Sequence, residues 1–425
     1  MKFPKDFYWG AATSAHQVEG GNNNDWSVWE KENSARLAKE ALNKDYPKHV
    51  LNDYPGPFRR ENYISGRASD HYNRYNEDFD IAKSLGHNAH RFSIEWSRIE
   101  PEEGKFNEAE IEHYRKVINA LRSRGIEPFI TLWHFTNPLW ISKIGGWANN
   151  QTVFYFTRYA ERMAKELGKD VKFWITINEP MVYAGNAYRR GIWPPAGNAK
   201  SLLKYIMVLR NFVLAHKRAY KKIKKINPGA QIGIAKNNIY FDGSGINAPL
   251  KFLADWWWNE MFLNFIENEM DFIGLNYYFH NRIKGFRFNQ NINKDVSDMG
   301  WELCPEGIYK ILSNLTKYKK QIFITENGLA DAKDNKRADF IREHLKWIKK
   351  AMGTNGSKGK ERGSNGANVR GYFHWSLLDN FEWDKGFWPR FGLVEVDYNT
   401  MQRKIRSSAY QYKKSINESQ NLNKK

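Results

Sequence analysis

Eight times along the chain, a short apolar run gives way to a longer stretch with helical spacing. The runs are FYWGAAT (7–13), NAHRFSIEW (88–96), EPFITLWHF (127–135), VKFWITINEP (171–180), QIGIAKN (231–237), DFIGLNYY (271–278), QIFITENG (321–328) and VRGYFHWSLLDN (369–380). Between them lie segments such as DHYNRYNEDFDIAKSLG, where Tyr72, Tyr75, Phe79, Ala82 and Leu85 share one face and Gly86 is a natural stop. This alternation predicts strands joined by helices in a parallel sheet. Eight such units predict one α/β domain over residues 1–425, a (β/α)8 or TIM barrel with long loops on its catalytic face. An open, doubly wound sheet is the alternative. It is disfavoured because no GxGxxG or GxxxxGK[ST] phosphate loop follows the early strands.

Three segments read as irregular. Residues 31–68 form a long loop after the first strand, on the face where ligands bind. Residues 353–368, rich in Gly, Ser, Asn and Lys, form a flexible loop on the opposite face. The polar tail, 407–425, is expected to fray. Residues 280–307 make a further excursion on the catalytic side. The net charge of +19 raises affinity for a polyanion as a possibility. The lysines are scattered, however, and the densest group, HKRAYKKIKKINPG from His216, reads as a solvent face, so no specific nucleic-acid partner is expected. The lone cysteine, Cys304, rules out an internal disulfide, and no apolar run is long enough for a leader or a membrane span. A cytoplasmic location, with no membrane partner, is the expectation. Oligomeric state is not legible.

The segment QIFITENGLA poses the functional question. Its strand ends on a carboxylate, Glu326, followed by Asn327 and Gly328. Asn-Gly suggests a hairpin, but the following residues are helical in period, so Glu326 stands at the C-terminal tip of a parallel strand. The fourth strand ends the same way, at Glu179, with Asn178 before it and Pro180 after it. A single carboxylate at such a place is usually salt-bridged or capping. Two, on strands whose tips face each other across a barrel mouth, are the minimum equipment for splitting a glycosidic bond: one protonated, one ionised.

With FYWGAATSAHQVEGG, TINEP, GLNYY, FITENGL and HWSLLDNFEW in that order, the chain resembles glycoside hydrolase family 1, the β-glucosidase family, over nearly its whole length. The resemblance implies a retaining β-glycosidase. It would release terminal non-reducing β-D-glucosyl residues from small glucosides and oligosaccharides, with galactosides and fucosides as side substrates. It implies Glu326 as nucleophile and Glu179 as general acid, then base. Arg91, Tyr278 and Asn276 would support the nucleophile. Gln17, His134, Asn178, Glu382 and Trp383 would hold sugar hydroxyls, Trp375 the ring face, and Trp301 the aglycone. His134 is also open to a plainer reading as a buried histidine, and His16, His90 and His374 read as core. No cofactor is implied, and no metal is expected because no HExxH or paired-Cys pattern occurs.

Two departures stand out. After His134 the family pattern has Trp-Asp, whereas this chain has Phe135-Thr136, which removes an indole donor to the sugar. The segment between the fifth and sixth strands is shorter than the family pattern, so one side of the barrel is expected to be thinly covered, leaving apolar surface open. Glu382 would repel a 6-phosphate, which favours plain glucosides over phosphoglucosides. A catalytically silent sugar-binding protein is a competing reading, set back by the presence of both glutamates. Transglycosylation would use the same residues.

Overall fold

The computed structural model describes residues 2–195, 201–353 and 366–421. Eight parallel strands close into a barrel: β1 (Tyr8–Ala12), β2 (Ala89–Ser93), β3 (Glu127–Trp133), β4 (Phe173–Asn178), β5 (Gln231–Asn237), β6 (Phe272–Asn276), β7 (Gln321–Asn327) and β8 (Val369–Trp375). Each pairs with the next, and β8 closes on β1 from Gly371 opposite Tyr8 to Trp375 opposite Ala12. Every strand lies inside one of the eight apolar runs. Both faces of such strands are buried, which is why the runs are nearly continuous in apolar residues.

The longer helices are α1 (Asp25–Ala41), α2 (His71–Ser84), α3 (Glu108–Ser123), α4 (Gln151–Leu167), α5 (Leu202–Ile226), α6 (Ala248–Asp255), α7 (Pro305–Leu315), α8 (Arg337–Ala351) and α9 (Ser407–Asn421). Local chemistry sets their ends. The Asn107 side chain accepts from the N–H groups of Ala109 and Glu110 to start α3, and Gly125, at φ 66°, lets the chain turn out of it. None of the described helices is long and apolar enough to cross a membrane.

The barrel interior explains where a site can exist. Phe129, Phe173, Phe272, Phe323 and Phe373 fill it with a packed plug, Phe129 and Phe173 stacking at 4.1 Å. Gly233 is required beside that plug, because a Cβ there would stand 2.6 Å from the Phe272 ring. Strand period is two, so the next inward residues lie one layer higher. On β2, β3, β6 and β7 that upper layer includes Arg91, Thr131, Asn276 and Thr325, all buried. The change from phenylalanine to polar side chains marks the floor of a cavity.

Two expectations for irregular structure are corrected. Residues 31–68 are not a plain loop: α1 runs through Ala41, and short helical turns follow at Lys48–Leu51 and Arg60–Tyr63. The Asn24 side chain accepts from the Ser27 N–H at 2.9 Å while the Ser27 hydroxyl accepts from the Asn24 N–H at 2.9 Å. Trp26, Trp29, Leu37 and Ala41 are buried along α1, and a boundary drawn at residue 31 cuts through their period. The tail from Ser407 is not frayed as far as Asn421. It is α9, with Ala409, Tyr412 and Ile416 buried, and the Tyr412 hydroxyl donates to the Gly10 carbonyl at 3.1 Å. Its i, i+3, i+7 apolar spacing is diluted by lysines and asparagines. Of the expected flexible loop 353–368, residues 354–365 lie outside the described residues.

Candidate active site

Glu326 ends β7 and Glu179 follows β4, and one hydrogen-bonded network joins them. Arg91, at 0% exposure on β2, donates from Nη1 to Glu326 Oε1 at 2.5 Å, from Nη2 to Asn178 Oδ1 at 2.7 Å and from Nε to Thr131 Oγ1 at 3.0 Å. The Tyr278 hydroxyl donates to Glu326 Oε2 at 2.6 Å. Asn276 donates from Nδ2 to Glu179 Oε1 at 2.8 Å, and its own Oδ1 accepts from the Thr325 hydroxyl at 2.7 Å. Because Arg91 holds Asn178 Oδ1, the Asn178 amide nitrogen faces His134 Nε2 at 3.1 Å.

The backbone bends to make this arrangement. Register shifts interrupt the β4–β5 pairing after Ile175, the β6–β7 pairing after Leu275 and the β7–β8 pairing after Tyr372, near the tips that carry the glutamates. Bulges of this kind re-aim side chains at barrel rims. Glu179 sits at φ 43°, and two other cavity residues, Phe135 and Trp383, sit at φ 74° and φ 49°. Left-handed conformations cost non-glycine residues energy and cluster at functional sites.

The electrostatics act on Glu179. Burial, then the charge of Glu326, pushes Glu179 up to about 8, despite hydrogen bonds from Asn276 and Asn237. Both effects favour the protonated form of Glu179. Glu326 faces a guanidinium and a phenol, and both donate to its carboxylate. Burial and the Glu326 charge hold Tyr278 well above the usual phenol range, so it stays a donor. Burial and Arg91 keep His134 neutral.

A cavity of about 780 Å³ opens above this network. Glu179, Glu326, Asn178, His134, Tyr278, Trp301, Trp375, Glu382 and Trp383 all line it. Arg91 and Asn276 lie beneath the lining: Arg91 holds Glu326, whereas Asn276, expected to support the nucleophile, instead donates to Glu179. Gln17 does not line the cavity. Its amide donates to the Phe381 carbonyl at 2.8 Å and to Glu382 at 3.3 Å, which braces that carboxylate. Burial pushes Glu382 up to about 7, against a hydrogen bond from Asn380. The Phe135 ring packs 5.1 Å from Trp383, whereas the Thr136 hydroxyl turns to Glu95 at 2.9 Å. His16, His90 and His374 are buried away from the cavity lining. Among the described residues, no group of three or more His, Cys, Asp or Glu side chains is placed to hold a metal ion.

Sequence reasoning passed over several lining residues. Asn237, at the tip of β5, bonds Glu179 and lines the cavity. Its signal was available, since Asn178 and Asn276 hold similar places. Lys236, beside it, does not line the cavity: it is fully buried and donates to the carbonyls of Asn237 and Trp258 at 2.6 Å each, and burial pushes its ammonium down to about 7. Trp193 comes from an irregular connection, and Arg189, Trp257 and Trp258 from short helical segments at 185–190 and 256–260, whose direction the sequence does not reveal.

A family model described as Glycosyl hydrolase family 1 matches residues 1–242 and 258–421. The chain belongs to glycosyl hydrolase family 1. A relative, β-glucosidase A of Acetivibrio thermocellus, is 34% identical over 98% of both chains. A β-galactosidase of Pyrococcus woesei is 30% identical over 94% of both. Among solved structures, a β-glycosidase from Pyrococcus horikoshii matches with a TM-score of 0.83 at 37% identity, covering 98% of this chain and 95% of that one. A Thermotoga maritima β-glucosidase in complex with glucoimidazole matches with a TM-score of 0.83 at 30% identity, covering 98% and 99%. The family 1 match makes this chain a glycoside hydrolase on a TIM barrel.

Proposed function

We propose that the protein is a retaining β-glucosidase acting on terminal, non-reducing β-D-glucosyl residues of small glucosides and oligosaccharides. The observation that carries the assignment is the shared network, in which Glu326 is held by Arg91 and Tyr278 while Glu179, held by Asn276, is pushed toward its protonated form by burial at the same cavity. The Glu326 carboxylate attacks the anomeric carbon. Glu179 gives its proton to the departing glycosidic oxygen, and a covalent glycosyl-enzyme forms. Glu179, now ionised, takes a proton from water, which attacks the same carbon and frees Glu326. Two inversions leave the product in the β configuration. Asn178 holds the 2-hydroxyl, His134, Glu382 and Trp383 hold the other hydroxyls with Gln17 bracing Glu382, and Trp375 lies under the ring. No cofactor takes part in these steps. The β-glucosidase and β-galactosidase relatives support glucosides as main substrates and galactosides as side substrates.

The test is an NMR time course on an aryl β-glucoside. β-Glucose must form first and mutarotate afterwards. First appearance of the α-anomer would reject the double displacement.

Tyr278→Phe removes one donor from the Glu326 carboxylate. A hydrogen bond to a charged group contributes about 1.5–3 kcal/mol, so kcat/KM is expected to fall roughly 10- to 100-fold with the fold intact. Unchanged kinetics would remove Tyr278 from the mechanism. Phe135→Trp restores an indole N–H near the sugar. One neutral hydrogen bond, about 1 kcal/mol, predicts a KM for aryl β-glucoside lowered about fivefold and an altered glucoside-to-galactoside ratio. If both stay constant, Phe135 does not set sugar preference. We also propose a cytoplasmic location, consistent with a chain that has one cysteine, to be tested by cell fractionation.

A further inference from the structure

The cavity is polar at its sugar end and apolar along one exit wall, and that wall continues out onto the protein surface. Leu202, at the start of α5, and Trp257, just after α6, both line the cavity and are also 56% and 37% exposed. They stand on two neighbouring elements, where the Tyr205 and Trp257 rings lie 6.2 Å apart. From Trp257 the apolar surface runs outward along α6 through Trp256, Leu253 and Phe252, at 43%, 57% and 70% exposure. Positions 252, 253, 256 and 257 are spaced i, i+1, i+4 and i+5, which is one face of a continuous helical path. No residue of α6 is buried, although its sequence is APLKFLAD. Exposed apolar patches of this extent mark binding surfaces in soluble proteins.

The family model matches up to residue 242 and again from residue 258, and the unmatched stretch carries Phe252, Leu253, Trp256 and Trp257. It lies in the segment between β5 and β6, the one expected to leave apolar surface open.

We propose that this strip is the binding site for the aliphatic chain of an amphiphilic β-glucoside, so that alkyl glucosides and glycolipid-like molecules are preferred substrates. The inference rests on the β-glucosidase reading. With the sugar held between Glu179 and Glu326, the aglycone must leave toward the cavity mouth. A volume of about 780 Å³ is in the range that holds a drug-sized ligand, so there is room for a chain beyond the glucosyl unit. Along Leu202, Trp257, Trp256 and Leu253 the side chains are hydrocarbon and indole. They offer an alkyl chain continuous contact while giving few hydrogen bonds to the hydroxyls of an oligosaccharide. The chain is bound equally before and after bond breaking, so it lowers KM and leaves kcat unchanged.

The experiment compares methyl, butyl, hexyl and octyl β-D-glucosides, each below its micelle concentration, with cellobiose and cellotriose. Each buried methylene is worth up to about fourfold, so partial burial predicts at least a tenfold fall in KM from butyl to octyl at constant kcat. The double variant Phe252→Lys/Leu253→Lys changes two exposed residues that do not line the cavity. It is expected to hydrolyse methyl β-glucoside as the wild type does while losing most of the octyl advantage. A KM independent of alkyl length, an octyl advantage untouched by the double variant, or a gain confined to the cello-oligosaccharides would each overturn the proposal while leaving a β-glucosidase. Failure to hydrolyse any glucoside would overturn the β-glucosidase reading itself and the proposal with it.

Discussion

Glu326→Gln is expected to lower kcat/KM for an aryl β-glucoside by on the order of 10⁴-fold or more, because the amide has no charge with which to attack the anomeric carbon. Glutamine keeps the shape of the side chain and an oxygen for the Tyr278 hydroxyl. It does not keep the countercharge of Arg91, whose guanidinium is fully buried and donates to Glu326 at 2.5 Å. Removing one partner of a buried ion pair costs about 3–5 kcal/mol, so thermal unfolding must be followed alongside the rate. A folded variant with the rate gone identifies the nucleophile. A folded variant that retains more than about a hundredth of the wild-type rate would transfer that role to another carboxylate.

The second large effect belongs to Glu179→Gln, and it depends on the leaving group. A proton donor matters most when the departing oxygen is basic. Alkyl β-glucosides are expected to lose about 10²- to 10⁴-fold in rate, whereas a dinitrophenyl glucoside, whose phenolate leaves unaided, loses little in the first step and accumulates glycosyl-enzyme. The pH profile gives an independent reading. The active form of Glu179 is protonated, and burial together with Glu326 places its titration at about 8, so wild-type kcat/KM falls as pH rises through about 8. In Glu179→Gln that alkaline limb should vanish. An alkaline limb that survives the substitution would mean that another group supplies the proton.

The strand tips were the most legible part of the site. Glu179 and Glu326 could be found because each ends an apolar run; one such carboxylate is usually salt-bridged or capping, and it was the pair on facing strand tips that pointed to chemistry. Their supporting groups were reached through family motifs. Arg91 read by itself is only a cation within an apolar strand, and its three bonds to Glu326, Asn178 and Thr131 exist only once β2, β3, β4 and β7 share a barrel. The contact of Gln17 with Glu382 joins residues at opposite ends of the chain, and no local pattern reveals it. The irregular segments were read least well. The period of α1 was lost where a boundary was set inside it, and α9 was lost because three apolar residues among lysines and asparagines look like a solvated tail until the outer wall of β1 and β8 is present to bury them.

By itself, then, the sequence determined the eight strands, their order around a barrel and the two carboxylates at their ends, because backbone period and the apolar-to-polar change at each strand tip are local properties. Tertiary structure alone decided the protonation of Glu179, the pairing of Arg91 with both Glu326 and Asn178, and the exposure of the apolar strip along α6. Burial, charge proximity and surface cover depend on which parts of the chain meet after the barrel closes, and residues far apart in sequence set all three.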